Sequence, residues 1–220
     1  YKMNYRTLGK TGFKISEISL GTWQIGGDWS SKLSLEDGKK IVHEAIDSGI
    51  NFIDTADVYG MGISEKAVSE VVKSRSENIY VATKCGRKIN PHTSEHYTPE
   101  ALRKYVEDSL RNMNTDALDL IQLHCPPTEV YYRPEIFELF DRLKTEGKIK
   151  NMGVSVEKVE EAIKAIEFEN VTSVQIIFNL FRQSPRDTLF ERCHARGVAV
   201  IVRLPLSSGL LSGRMTRATT

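Results

Sequence analysis

Cysteine is scarce: there are three in 220 residues, Cys85, Cys125 and Cys193, and no two form a C-x-x-C pair. That leaves nothing for a disulfide framework or a thiolate zinc site, and a reducing, cytoplasmic setting fits such usage. No apolar run approaches the roughly 20 residues that a bilayer-spanning helix needs, so no membrane role is expected. No secretory signal is visible, and Met3 offers a native start. Charge of one sign is lacking too, since 30 basic residues face 29 acidic ones and neither sign is segregated. A nucleic-acid groove or an anionic membrane surface calls for clustered positive charge, so neither is an expected partner. No linker rich in Pro, Gly or Ser divides the chain, and residues 1–220 read as one domain.

What is present is alternation. Val- and Ile-rich runs near 18–22, 51–54, 79–84, 118–124, 149–154, 173–177 and 198–202 read as strands. Helical periodicities fall between them, near 35–48, 65–74, 99–113, 134–146, 156–168 and 186–196. Ser34 with Asp37 reads as a capping box, and Thr98-Pro99 and Ser184-Pro185 each set a hydroxyl before a proline at a helix start. Gly49, Gly147 and Gly197 stand where helices close. In the first helix Leu35, Ile41, Val42, Ala45 and Ile46 are expected to line the buried face. The strands are largely apolar on both faces, the pattern of a covered parallel sheet.

Repeated strand–helix units without a G-x-G-x-x-G at the first helix favour an α/β fold of the (β/α)8 TIM-barrel type over a doubly wound sheet. Residues 4–15 read as an N-terminal β-hairpin turning at Gly9 and Gly12, placed to plug the barrel's bottom. Only seven barrel strands fit in the chain. The eighth strand and the last helices are therefore expected to be missing from it.

Three of these strands end in polar groups of complementary chemistry: Asp54 with Tyr59 five residues on, Lys84, and His124. In a parallel α/β protein that edge is where chemistry occurs. Each residue alone has an ordinary reading: a cap carboxylate, a packed phenol, a surface lysine. Four at one edge are harder to dismiss. A free phenol near pKa 10 is a poor acid at neutral pH, and Lys84 beside Tyr59 is expected to lower it. Asp54 would supply the counter-charge, and His124 would hydrogen-bond a substrate oxygen or share the proton. Nothing here is a nucleophile, a metal triad or a phosphate loop. The site suits a carbonyl becoming an alkoxide, its hydride coming from a nicotinamide cofactor. His92 and His96 share a polar loop but lack the carboxylate or thiol support of a metal site, and no metal is expected.

The stretch Phe52-Ile-Asp-Thr-Ala-Asp-Val-Tyr-Gly60 with Ser64-Glu65 resembles the aldo-keto reductase family. So, in order, do Tyr5-Arg-Thr-Leu-Gly-Lys-Thr-Gly12, Ser19-Leu-Gly-Thr-Trp23, Ala82-Thr-Lys84, Asp119-Leu-Ile-Gln-Leu-His124, Gly147-Lys-Ile-Lys-Asn-Met-Gly-Val-Ser155 and Gly209-Leu-Leu-Ser-Gly213. The resemblance implies NADPH-dependent reduction of an aldehyde or ketone, with Tyr59 as acid among Asp54, Lys84 and His124. It implies cofactor contacts from Gly21, Thr22, Trp23, Asp54, Ser155, Gln175, Arg203, Pro205, Leu206, Ser208, Gly209 and Leu210. Trp23 and Trp29 would wall the carbonyl pocket with Tyr59 and His124.

Three departures stand out. Val156 follows Ser155 where the family often has Asn, and Arg203-Leu204 stands where an aromatic commonly stacks on nicotinamide. The segment that grips the 2′-phosphate is absent, which leaves NADH open beside NADPH. A competing reading keeps the fold but makes the protein a nicotinamide-sensing regulatory subunit with little turnover. Cys85 and Cys125 directly follow Lys84 and His124, so their oxidation would misplace catalytic groups; burial as packing residues is the competing role.

Overall fold

Each barrel strand carries two separate rows of side chains, and this two-residue period decides where the chemistry lies. The computed structural model describes residues 2–26 and 34–216. An antiparallel hairpin of β1 (Tyr5–Thr7) and β2 (Lys14–Ser16) precedes a curled parallel sheet. That sheet runs in sequence order through β3 (Leu20–Gly21), β4 (Phe52–Asp54), β5 (Tyr80–Cys85), β6 (Leu118–His124), β7 (Ile149–Ser155), β8 (Val171–Ile177) and β9 (Ala199–Arg203). Helices α1 (Leu35–Asp47), α2 (Ile63–Lys73), α3 (Pro99–Met113), α4 (Pro134–Thr145), α5 (Val159–Ala165), α6 (Ser184–Thr188) and α7 (Phe190–Ala195) cover its outer face. The order is that of a (β/α)8 barrel of which seven strands are present among the described residues.

One row faces the helices. Ile53, Val81, Ile121, Leu123, Val154 and Val174 pack there against Val42, Val68, Leu102, Phe137 and Ala162. Each such apolar side chain, once fully buried, contributes about 1.5–3 kcal/mol. The other row faces inward and changes character along the strands. At the hairpin end Phe52, Ala82, Leu120, Ala199 and Ile201 form a small apolar cluster with Leu8, so the hairpin does close the bottom. Two residues further along each strand, the same row carries Asp54, Lys84 and Gln122, and then His124, Ser155, Gln175 and Arg203.

Gly153 makes room within this inner row. A Cβ there would lie 2.2 Å from Ser173 Oγ, 2.9 Å from the Ser173 carbonyl and 3.4 Å from Gln122 Cγ. Only glycine lets β6, β7 and β8 approach with those side chains in place.

Several local expectations change. The 156–168 helix contracts to α5, and the 186–196 helix breaks at Leu189 into α6 and α7. Ser34 and Thr98 do cap their helices, accepting from the Asp37 and Ala101 amides. Ser184 does not; it is the first residue of α6, and the preceding Gln183 makes no side-chain cap. In α1 the buried face is Gly38, Val42 and Ile46, while Leu35 and Ile41 are 40% and 38% exposed. Position 38 needs no side chain there because Ile25 fills the space against it.

Candidate active site

The inward row brings Asp54, Lys84 and His124 to one end of the barrel, and the loop after β4 delivers Tyr59 to them. Lys84 is 1% exposed, so its ammonium has to be satisfied internally. It has three protons and finds three acceptors: Asp54 Oδ1 at 2.5 Å, the Thr55 carbonyl at 2.8 Å and Tyr59 Oη at 3.3 Å. Burial works to lower its pKa, but Asp54 and Tyr59 outweigh that and hold it raised. Asp54 is equally occupied. Its second oxygen accepts from Gln175 Nε2 at 2.8 Å and Gln122 Nε2 at 3.3 Å. Gln122 is a part of this arrangement that sequence reasoning missed; its only signal was the two-residue period of β6.

Tyr59 opens a tight turn (Tyr59–Gly62) that feeds α2. Gly62 sits at φ +94°, and a Cβ on it would meet Asn112 Nδ2 at 2.5 Å, so the turn needs glycine on both counts. Asn112 is held in turn by Glu65, whose other oxygen accepts from Thr83 at 2.6 Å. Ser64 ties Thr22 to Thr55 through hydroxyl hydrogen bonds of 2.8 and 2.9 Å. The Ser64-Glu65 pair thus fixes the turn against β3 and β5. Burial raises the Tyr59 phenol, Lys84 pulls it down and Asp54 pushes it up. The net direction is upward, which corrects the expected lowering: a desolvated phenolate costs more than one ammonium recovers at 3.3 Å. The resting site therefore holds a protonated phenol.

His124 stands beside it, ring centroids 6.0 Å apart with planes at 84°. Its pKa lies well below the ordinary value, first through burial and then through Lys84, Arg87, Arg203 and His92. A neutral imidazole results, with Nδ1 buried and unpartnered. That favours the hydrogen-bonding role over proton sharing.

The remaining expected contacts spread around this centre. Ser155 Oγ donates to Gln175 Oε1 at 3.4 Å, so the Gln175 carboxamide is engaged on both sides. The Thr22 hydroxyl is spent on the Asp54 carbonyl at 2.9 Å. Gly21 is open, and Trp23 is 46% exposed on the turn after β3. Trp29 lies outside the described residues. Arg203 donates to the Val156 carbonyl at 3.0 Å, joining the two positions that depart from the family pattern. Pro205, Leu206, Ser208, Gly209 and Leu210 follow on a largely exposed loop in which Ser207, Ser208 and Gly209 all take left-handed conformations. His96 pairs with Thr93, and His92 with Arg87 and Tyr97.

A family model described as the aldo/keto reductase family matches residues 17–220. An uncharacterized oxidoreductase of Bacillus subtilis is 32% identical over 96% of this chain and 67% of its own length. The NADH-specific methylglyoxal reductase of Escherichia coli is 30% identical over 96% of this chain and 69% of its own. Among solved structures, the holo form of an aldo-keto reductase from Bacillus halodurans superposes with a TM-score of 0.85 at 28% identity, covering all of this chain and 72% of that one. The chain thus spans about two thirds of the length of these relatives. It belongs to the aldo/keto reductase family of NAD(P)H-dependent oxidoreductases.

Proposed function

We propose that the protein reduces aldehydes or ketones to alcohols with a nicotinamide cofactor, Tyr59 acting as the general acid. The observation that carries this reading is the contact of a protonated, half-buried phenol with a buried ammonium. The donor set also suits a dinucleotide. From Arg203 to Thr220 the chain has no acidic residue, three arginines and a run of hydroxyls and glycines, chemistry that favours a diphosphate. Gly21, paired with Asp54 across β3 and β4, leaves open space beside it, and Ser155, Gln175, Trp23 and Arg203 are the groups that would meet the cofactor. NADPH is the expected form, on the family resemblance; NADH is the comparison to run beside it.

When bound, the cofactor supplies a hydride to the carbonyl carbon. The protein does the rest. His124, neutral, donates a hydrogen bond to the carbonyl oxygen and orients it toward Tyr59. The Tyr59 proton passes to that oxygen as the C–H bond forms, so hydride and proton add across C=O and an alcohol leaves. The phenolate left behind faces the Lys84 ammonium, and Asp54 keeps that ammonium charged in a desolvated site. A buried ammonium aimed at the developing charge is stronger there than it would be in water.

The test is NADPH and NADH oxidation with a panel of aldehydes by the full-length protein and its Tyr59→Phe variant. Turnover lost by about a hundredfold or more in the variant, with cofactor binding retained, supports the reading. Cofactor binding without turnover in either protein favours the nicotinamide-sensing role instead.

A further inference from the structure

At the rim of the site Arg87, His92 and Arg203 gather about Cys125, and among the described residues none of them makes an ion pair. Arg87 Nη1 lies 3.3 Å from His92 Nε2, and His92 Nε2 lies 3.2 Å from the Cys125 carbonyl. From the opposite side Arg203 Nη2 reaches within 3.9 Å of Cys125 Sγ, and the buried Arg203 Nε has no partner. Arg87 and His92 come from the loop after β5 and Arg203 from the end of β9, and all three lie within electrostatic reach of His124. Tyr97 donates its hydroxyl to the Gly86 carbonyl at 2.9 Å. Its oxygen is then left to accept from His92 Nδ1 at 3.3 Å, which fixes the ring with Nε2 toward Arg87.

Among the described residues no carboxylate lies within ion-pair distance of Arg87, His92 or Arg203. Arg75, Arg103 and Arg133, by contrast, each pair with an acid at 2.5–2.8 Å and are spent there, while Arg87 and Arg203 face the site unspent. The Asp54 carboxylate is taken by Lys84, Gln122 and Gln175. The chain as a whole is balanced in charge, so the local excess does not follow from composition. Arg87 and Arg203 are like charges on one rim, and an anion seated between them is attracted to both.

We infer that the preferred carbonyl substrate carries an anionic group, a carboxylate or a phosphate, that seats against Arg87, His92 and Arg203 while its carbonyl meets Tyr59 and His124. This rests on the carbonyl-reductase reading above and names the class of substrate. Guanidinium groups grip such oxyanions with paired hydrogen bonds, while a neutral carbonyl compound leaves them unmatched. Because Arg87 is exposed, each contact is worth a modest factor and is screened by salt.

The experiment compares 4-oxobutanoate with butanal, aldehydes matched in length with and without a carboxylate, in the full-length protein at low and high salt. The expected result is a kcat/KM at least about tenfold higher for the anion at low salt, shrinking as salt is added. Arg87→Gln and His92→Gln should each lower that ratio severalfold, acting mainly on KM. Equal or better use of butanal by the parent protein overturns the inference while leaving carbonyl reduction intact. An unchanged ratio with weaker NADPH binding in Arg87→Gln also overturns it, because the cluster would then serve the cofactor's phosphates. Turnover of neither aldehyde, nor of any other carbonyl compound, removes the underlying reading and the inference with it.

Discussion

Asp54 Oδ1 and Lys84 Nζ meet at 2.5 Å with their side chains 13% and 1% exposed, so neither charge has water to fall back on. Removing one partner of such a pair strands the other, at about 3–5 kcal/mol. The Asp54→Ala variant is therefore expected to lose roughly that much stability and to lose most turnover. Lys84→Met alone should cost less stability, because Gln122 and Gln175 still donate to the carboxylate. The double variant should be more stable than the sum of the single losses predicts. Urea melts of all four proteins measure this coupling, and strictly additive losses would show that the contact contributes nothing beyond its parts.

A second carboxylate, three residues beyond Asp54, has the opposite problem. Asp57 is fully buried and both its oxygens lack a hydrogen-bond partner of normal geometry. Burial pushes its pKa up from 3.8 to about 7; Lys88 and Lys84 pull it down, and Glu65 adds to the rise. Cys85, Tyr97 and Tyr105 are the other titratable groups that feel its charge. Between pH 3.8 and 7 the folded protein keeps a proton that the unfolded chain has released. Stability from this group thus falls as pH rises through that window and is lowest above it. Asp57→Asn should gain on the parent by about 3 kcal/mol more at pH 8.5 than at pH 5, taking ~1.4 kcal/mol per pH unit across the window. Parallel stability curves for the two proteins would refute this account of Asp57.

How much of this was legible in the chain depends on range. The barrel order, the hairpin and the edge carrying Asp54, Tyr59, Lys84 and His124 follow from short-range patterns: apolar runs, caps, turn glycines and motif spacing. The shared inward face was implicit as well, since alternate residues on each strand point the same way. Tertiary balance was not legible. Whether Tyr59 ends above or below its ordinary pKa depends on how deeply the fold buries it against one ammonium, and no spacing encodes that. Gln122, Glu65 and Asp57 read as ordinary polar residues until neighbouring elements close over them. Ser184 carried a capping signal, but the helix begins on it rather than after it.

The cysteines beside Lys84 and His124 give a third prediction. Cys85 is fully buried, and burial, with Asp57 and Glu65, holds its thiol well above the ordinary range. Burial also raises Cys125, against the pull of Arg203 and Ser155, and takes Cys193 to about 11. The thiolate is the form that peroxide attacks, so all three should react slowly at neutral pH. Activity is expected to survive a modest excess of hydrogen peroxide for many minutes. Rapid inactivation that Cys125→Ser prevents would instead make that thiol a redox sensor.

The last prediction concerns a residue with no side chain. A methyl group on Gly153 would press within 2.2 Å of Ser173 Oγ and 2.9 Å of the Ser173 carbonyl. The hydroxyl can be moved or deleted, but the carbonyl belongs to β8, where Ser173 is paired with Gly153 itself. Gly153→Ala should thus cost about 1–3 kcal/mol through overpacking. It should also disturb catalysis without touching substrate, because Gln122 and Gln175 flank the clash and both donate to Asp54. Adding Ser173→Gly removes the closest contact and leaves the backbone one, so stability and kcat should recover in part. Full recovery would show that only the hydroxyl mattered. No recovery would place the cost in the strand spacing, beyond the reach of any side-chain change.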